Sequence, residues 1–295
     1  MQSETACLCK VSIIMPCYNQ GQYIEDAINS VRSQTHQNWE CIIVDDGSTD
    51  GSYEITKKII GNDNRFILLK QENSGVCIAR NVAAEKASGE FLLPLDADDK
   101  LAPTYIEKAL SVFNTNQDCK LVYSDLKFFG LRNEIWLLPE YNYDSLLWKN
   151  QIVVTALFRK SDFLQVGGYN PNMKDGCEDW DFYLSFLKPN DVVIKIPEIL
   201  FFYRQKKALS RNMKACNNIN MVRNQIVKNH KDRYLPFLPN IITYRTNSDA
   251  WDNAHISKLY KFCYSIIIIL RRIRAPFKWL KKRINILLKR YIIIL

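Results

Sequence analysis

No stretch of this 295-residue chain is apolar long enough to cross a bilayer. Even in the hydrophobic tail from residue 241 onward, the longest uncharged run is the nine residues from Phe262 to Leu270, against the roughly 20 that a spanning helix needs. The segment from Met1 to Lys10 has no apolar core of the kind a secretory leader carries, so secretion is not expected. The nine cysteines are scattered, odd in number and free of paired Cys-x-x-Cys motifs, which excludes the common zinc-ribbon spacings. Several, such as Cys17 and Cys41, lie inside apolar runs and read as buried thiols of a reducing compartment. Internal repeats and low-complexity tracts are absent. So is any acidic residue after Asp252, although eleven of the forty Lys and Arg residues lie there. That leaves twenty-nine bases against thirty-one acids in residues 1–252. The net charge of +9 therefore belongs to the tail, and the distribution argues against nucleic acid as a partner of the body.

What is present begins as an alternation of strands and helices. Val11–Pro16, Glu40–Val44, Phe66–Leu69 and Glu90–Leu95 are unbroken apolar runs of strand length. Between them, helical spacing recurs through Ile24, Ala27, Ile28 and Val31, through Ile55, Ile59 and Ile60, and from Gly75 to Ala87. Such βαβαβαβ order predicts a parallel sheet covered on both faces. Beyond Asp99 the pattern loosens. Helices are expected at 104–113, 162–166 and 182–187, and strands at 120–124, 153–158 and 192–196, with an aromatic stretch of no clean period after Asp125.

The acidic clusters fall at strand ends. Asp96-Ala97-Asp98-Asp99 follows the fourth strand, where open α/β sheets place their ligands. Carboxylates suit a hard divalent cation, and Mg²⁺ is usually held by one or two of them with substrate phosphates completing the shell. The same residues also read as a solvated turn capping the next helix. Asp45-Asp46 ends the second strand, in reach of base or ribose hydrogen-bonding groups, and the following Gly-Ser-Thr-Asp-Gly also reads as a turn with an N-cap. Glu178-Asp179 opens a later helix, where Asp181 suits the helix dipole.

Taken in order and spacing, these residues resemble the inverting family 2 glycosyltransferases of the GT-A fold. The resemblance runs over about the first 210 positions: Ser12 to Asn19, Val44 to Gly51, Asn73 to Val76 with Ala79-Arg80-Asn81, Asp96 to Asp99, Gly167 to Tyr169, Glu178 to Asp181, and Tyr203-Arg204 with Ser210. It implies a Rossmann-like, mostly parallel central sheet flanked by helices. A catalytic domain over 10–240 is expected, with a nucleotide-binding half at about 10–100 and an acceptor half at about 101–240. The resemblance gives Asp45 or Asp46 to the uracil, Pro16, Tyr18 and Asn19 to the other side of the base with Tyr18 stacking, Asp96 to the ribose or the metal, and Ala97 to the nucleotide. Asp98 becomes the ligand of a divalent metal, Mn²⁺ or Mg²⁺, bridging the diphosphate of a UDP-sugar. Arg80 is a candidate for charge beside the phosphates, or for a structural pair with Asp99 or Glu85. Asp179 is the implied general base. Glu178, Trp180, Tyr203 and Arg204 fall on the acceptor or diphosphate side, Trp180 either packing or stacking on a sugar, and Lys206 stands where a later basic residue is usual. The Gln-x-x-Arg-Trp motif of processive synthases is missing.

Past residue 240, Ile273, Phe277, Leu280, Ile284, Leu287 and Tyr291 keep one helical face among Lys and Arg, with Trp279 beside them and Pro276 kinking the start. A basic amphipathic helix at 241–295, lying on an anionic membrane surface, is the reading; a helix docked on its own domain or on a partner is the other. The expected protein is cytoplasmic and peripheral on the inner face of the membrane, acting on a saccharide or lipid-linked acceptor. A sugar-phosphate nucleotidyltransferase would want a Gly-rich basic loop after the first strand, which Cys17 to Gln22 does not offer. A non-enzymatic, membrane-tethered protein leaves the carboxylates unexplained. Acceptor specificity is expected in the loops 125–150 and 170–177, which carry no readable pattern.

Overall fold

The structure is a computed structural model, and it describes residues 9–206 and 219–234. The expected helical tail at 241–295 lies outside the described residues. The chain divides into two compact units, Met1–Gln225 and Ile226–Leu295. The described part of the second is the end of α8 (Ile219–Asn229) and the short α9 (Lys231–Tyr234).

The first unit is built on a nine-stranded mixed sheet flanked by helices. Four parallel strands come first: β1 (Val11–Cys17), β2 (Trp39–Asp46), β3 (Phe66–Gln71) and β4 (Phe91–Pro94). They are connected by α1 (Ile24–Arg32), α2 (Ser52–Ile60) and α3 (Val76–Lys86). All of β1, β2 and β4 is buried, which is why these strands read as continuous apolar runs rather than alternating ones. Their order is β3-β2-β1-β4. Because the four run parallel, the loops after Cys17, Asp46, Gln71 and Pro94 leave from one edge, outside the carboxyl ends of the strands. Pro16 is tolerated inside β1 because β4 pairs only as far as Ile14, so its missing N–H faces no ladder on that side.

The second half turns mixed. β5 (Lys100–Leu101), α4 (Tyr105–Thr115), β6 (Cys119–Gly130), β7 (Ile135–Trp136), α5 (Tyr143–Leu146), β8 (Leu157–Arg159), α6 (Lys160–Gln165), α7 (Glu178–Phe186) and β9 (Val192–Gln205) complete the unit. β8 joins β4 and β6 antiparallel, and the long β6 and β9 run parallel.

Several boundaries differ from the sequence expectation, and β6 runs on to Gly130 where no clean period is expected after Asp125. Residues 153–156 do not form a strand, although 154–156 are buried; the carbonyls of Val153 and Val154 accept from the Tyr183 hydroxyl and that of Thr155 from Tyr105. β9 runs through Pro197 to Gln205 because the register jumps there, Ser124 facing Ile196 and Asp125 facing Ile199, so proline sits in a bulge. α7 starts at Glu178, where the acidic pair is expected to open a helix, and not at the apolar Phe182; it follows Cys177 at φ +59°. Phe182 of α7 packs against Phe158, Phe163, Tyr169 and Phe186 with ring centroids 4.9–5.6 Å apart, a cluster that fixes α7 on the end of the sheet.

One buried carboxylate ties the first strands together. Glu40 accepts from Ser12 Oγ at 2.6 Å, from Ser88 N at 2.6 Å and from Lys10 Nζ at 2.7 Å. Burial alone would raise its pKa, but these donors outweigh it and hold the carboxyl at about 2. The depressed value means the stability it contributes is present above its unfolded pKa, near 4.5, and is lost as pH falls toward 2. Glu40→Gln is expected to remove roughly 2 kcal/mol at neutral pH. Denaturant titrations across this window are expected to show a shallower acid loss in the variant than in the wild type.

Candidate functional site

The loops at the carboxyl edge are laced to one another by side chains. Asn19, in the left-handed region at φ +53°, accepts from Thr49 N at 2.8 Å, and its own N–H donates to Ser48 Oγ at 3.0 Å. Gln20 N donates to Ser52 Oγ at 2.9 Å and Gly21 N to Asp50 at 3.1 Å. These bonds set the β1–α1 loop against the β2–α2 loop and leave Tyr18 47% exposed between them and solvent.

Asp45 and Asp46 have separate roles here. Asp46 is saturated: Gln71 Nε2, Ser74 N and Gly75 N donate to it at 2.7, 2.8 and 2.9 Å, bracing the turn into α3. Asp45 receives Ser48 N at 3.1 Å on one oxygen, and its other oxygen, buried, has no hydrogen-bond partner among the described residues. Of the two, Asp45 keeps the open acceptor.

At the end of β4, single carboxylate oxygens of Asp96, Asp98 and Asp99 all lie within 4.8 Å of one another, while Ala97 between them is buried. Burial and the charge of Asp96 raise the Asp98 pKa; burial and the charges of Asp98 and Asp96 raise that of Asp99 well above its usual value. Two basic groups from β9 and beyond offset this crowding. Arg204 donates its backbone N–H to Asp99 Oδ1 at 2.8 Å and its Nε to the Asp98 carbonyl at 2.8 Å, and pairs with Asp26. Its guanidinium lies 4.2 Å from the Phe129 centroid and 4.8 Å from that of Tyr23. Lys206 Nζ stands 2.5 Å from Asp98 Oδ2 and donates to Gln20 Oε1 at 2.6 Å. The donor set is all hard oxygen, and Asp99 Oδ2 is buried without a hydrogen-bond partner among the described residues. That orphaned oxygen beside Asp98 fits a divalent cation.

Arg80 lies under the site rather than on its surface. It is 1% exposed, with Nη2 2.5 Å from Asp96 Oδ1 and Nη1 2.7 Å from Glu178 Oε1. The structural partners expected from sequence, Asp99 and Glu85, are replaced by this pair. Its neighbour Asn81 clamps the backbone of Tyr169, accepting from its N–H at 2.9 Å and donating to its carbonyl at 2.8 Å. The approach requires glycine at 168: φ is +75°, and a Cβ there would stand 2.7 Å from Asn81 Oδ1. Thus the Ala-Arg-Asn and Gly-Gly-Tyr motifs are two halves of one contact. Arg80→Met, which strands Glu178 and Asp96 without their countercharge, is expected to cost about 3 kcal/mol in equilibrium unfolding. This is the low end for a buried pair because the Asp96 side chain is 31% exposed.

Glu178, Asp179 and Asp181 occupy the first turn of α7. Asp179 Oδ1 accepts from Trp180 N at 2.8 Å and Oδ2 from Asn150 Nδ2 at 2.9 Å. Burial and the adjacent Glu178 charge push its pKa up to about 7, against the lowering influence of Trp180 N–H, Arg80 and Asn150. Such a group exchanges a proton near neutral pH. Trp180 is 3% exposed and donates its indole N–H to the Leu146 carbonyl at 2.6 Å, so its ring packs and is not offered to a sugar. Tyr203 lies with its ring 5.9 Å from Phe128, which stacks on Trp136. Asn150 was not singled out by the sequence; it lies in a stretch of no period, and its only advance sign is being a polar residue inside that aromatic segment.

The model described as Glycosyl transferase family 2 matches residues 12–167. Over 202 residues the chain is 34% identical to TuaG of Bacillus subtilis (strain 168), which carries the name of a teichuronic acid biosynthesis glycosyltransferase; the match covers 66% of this chain and 78% of TuaG. It is 36% identical over 183 residues to an uncharacterized glycosyltransferase of Haemophilus influenzae, covering 60% of this chain and 72% of that one. Among solved structures it resembles S. aureus TarS 1-349 in complex with UDP-GlcNAc, with a TM-score of 0.60 and 20% identity over 75% of this chain and 66% of that chain. The mannosyltransferase PcManGT from Pyrobaculum calidifontis, in complex with GDP-Man and Mn²⁺, gives 0.56 and 18% identity over 77% and 64%. These two neighbours share the GT-A architecture.

Proposed function

Because this chain belongs to glycosyl transferase family 2, we propose that it moves a sugar from a UDP-linked donor to an acceptor hydroxyl with inversion at the anomeric carbon. The observation that carries the reading is the placement of Arg80. One buried guanidinium joins Asp96, in the carboxylate loop after β4, to Glu178, the neighbour of Asp179. Donor-side and acceptor-side carboxylates are thereby held on a single strut.

Each residue then has a role that its surroundings support. Tyr18 offers an exposed ring for the base to stack on, with Pro16 and Asn19 shaping the loop that presents it. Asp45, with its open oxygen, accepts from the base or ribose, while Asp46 braces the loop beside it. Asp98, flanked by Asp96 and Asp99, is the ligand proposed for Mn²⁺ or Mg²⁺. When bound, the cation supplies Lewis-acid charge against the departing diphosphate. Asp179 takes the proton of the acceptor hydroxyl as that oxygen attacks the anomeric carbon. A single displacement needs no carboxylate nucleophile, unlike a retaining glycosidase. Arg204 and Glu178, both committed to protein partners, position the loops; Lys206, paired with Asp98, is the basic group proposed to face the diphosphate.

The acceptor is proposed to be a saccharide, lipid-linked at an anionic membrane surface, as in surface-polysaccharide assembly. Two things support this: the name that TuaG carries and the basic, acid-free sequence after Asp252. No helix among the described residues is long and apolar enough to cross a membrane. The test is a screen of UDP-sugars and GDP-mannose with Mn²⁺ or Mg²⁺, reading thermal stabilisation and slow transfer to water, with the anomer released identified by NMR. Metal-dependent stabilisation by a UDP-sugar and an inverted product support the proposal; a retained anomer overturns it.

A further inference from the structure

The proposal concerns the segment that carries α5 ahead of β8, and it rests on the assignment of Asp179 as base. Residues 142–151 form a loop closed at its neck. The Gln151 carboxamide accepts from Asn142 N–H at 3.1 Å and donates to the Asn142 carbonyl at 2.7 Å. Asn142 in turn caps α5, accepting from Ser145 N at 2.9 Å. The loop is fastened to α7 on both sides of its neck: Trp180 Nε1 donates to the Leu146 carbonyl at 2.6 Å, and Tyr183 Oη to that of Val153 at 2.7 Å. Between these fixed points, Asn150 reaches Asp179.

The amide cannot be turned the other way. Asn150 Oδ1 accepts from the backbone N–H of Ile152 at 3.3 Å, and a backbone N–H only donates. Nδ2 is therefore the atom that faces Asp179 Oδ2, at 2.9 Å. With Trp180 N–H on Oδ1, both carboxylate oxygens have a fixed donor, which sets the plane of the carboxylate and favours its ionised form. We propose that Asn150 is a positioning residue for the proton acceptor: the closed 142–151 loop exists in this chain to hold the Asp179 carboxylate in one orientation and keep it ionised. The charged and ionisable groups around Asp179 are Glu178 and Tyr183 on α7, Arg80 on α3 and Tyr169 ahead of α7. Burial keeps both phenols neutral, and Arg80 is shared with Asp96, so Asn150 is the one uncharged side chain among these partners that donates directly to the carboxylate.

The experiment needs no acceptor. Asp carboxyl carbons are labelled with ¹³C in the full chain, the Asp179 signal is identified by its loss in Asp179→Asn, and its titration is followed by NMR. Asn150→Ala is expected to move the Asp179 midpoint upward by about one pH unit. The near-isosteric Asn150→Asp, which puts a second carboxylate against the first, is expected to move it further. Thermal melting tells whether each variant is folded, and Asn150→Asp keeps the loop's shape if the alanine variant fails. With UDP-GlcNAc or the best donor of the screen, transfer to water is expected to fall about tenfold in Asn150→Ala below neutral pH, at unchanged donor KM, and to recover as pH rises. A midpoint that stays at the wild-type value in both folded variants overturns the proposal. If the midpoint moves but the wild type turns over no nucleotide-sugar, the functional reading fails and the positioning of Asp179 by Asn150 stands.

Discussion

Asp179→Asn is expected to lower turnover by about 10²–10⁴-fold, the range over which a positioned general base acts, with donor affinity nearly unchanged. The split follows from where the carboxylate sits. Asp179 opens α7 on the Glu178 side of the Arg80 strut, whereas the open Asp45 oxygen and the Asp96–Asp99 loop lie at the ends of β2 and β4. An interaction that matters only as the acceptor loses its proton lowers kcat without touching ground-state donor binding. The substitution is also sterically mild. The carboxamide keeps an oxygen for the Trp180 N–H or for Asn150, though not the charge that favours both. The pH profile carries the sign. Because the Asp179 pKa is pushed up to about 7 by burial and by Glu178, the wild-type rate should rise with pH through that region as the proton leaves. The residual rate of the asparagine variant should lack that limb. Near-normal turnover in a folded Asp179→Asn protein would remove the base assignment.

Asp98→Ala is expected to act on binding first. Its carboxylate is proposed as the metal ligand, and it is held beside Asp96 and Asp99 at an energetic cost visible in its raised pKa. Losing even an outer-shell partner of a metal costs roughly 10–100-fold in affinity, so loss of the ligand should exceed that range. Calorimetric Mn²⁺ titration in the presence of UDP is the measurement. The wild type should bind both together, and the alanine variant should show neither metal-dependent UDP binding nor metal-dependent thermal stabilisation. The fold itself should be unharmed, since relieving the repulsion with Asp96 offsets the loss of the 2.5 Å pair to Lys206. Equal metal-dependent UDP binding in both proteins would mean that Asp98 does not hold the cation.

The two predictions draw on different levels of the molecule. The amino-acid sequence by itself determined the parallel half of the sheet. β1, β2 and β4 are buried throughout, burial on both faces demands continuous apolar runs, and such runs are legible without a structure. It also determined that acidic groups end β2 and β4, because strand ends are visible as the point where apolar residues give way. Tertiary structure alone decided which of those groups stay open. Asp45 and Asp46 are adjacent and identical in type, and only the arrival of Gln71, Ser74 and Gly75 closes one of them. Arg80 likewise has acidic residues near it in sequence, yet it pairs with Glu178, 98 positions away. That choice is made by the packing of α7 on the aromatic cluster around Phe182, which brings the carboxylate to a guanidinium already cut off from water. Asn150 was the least legible of all, since its loop is shaped by side chain to backbone bonds rather than by a periodic apolar face. Periodicity encodes what a residue is buried against as a class; which individual donor meets which acceptor is fixed only when distant segments are packed together.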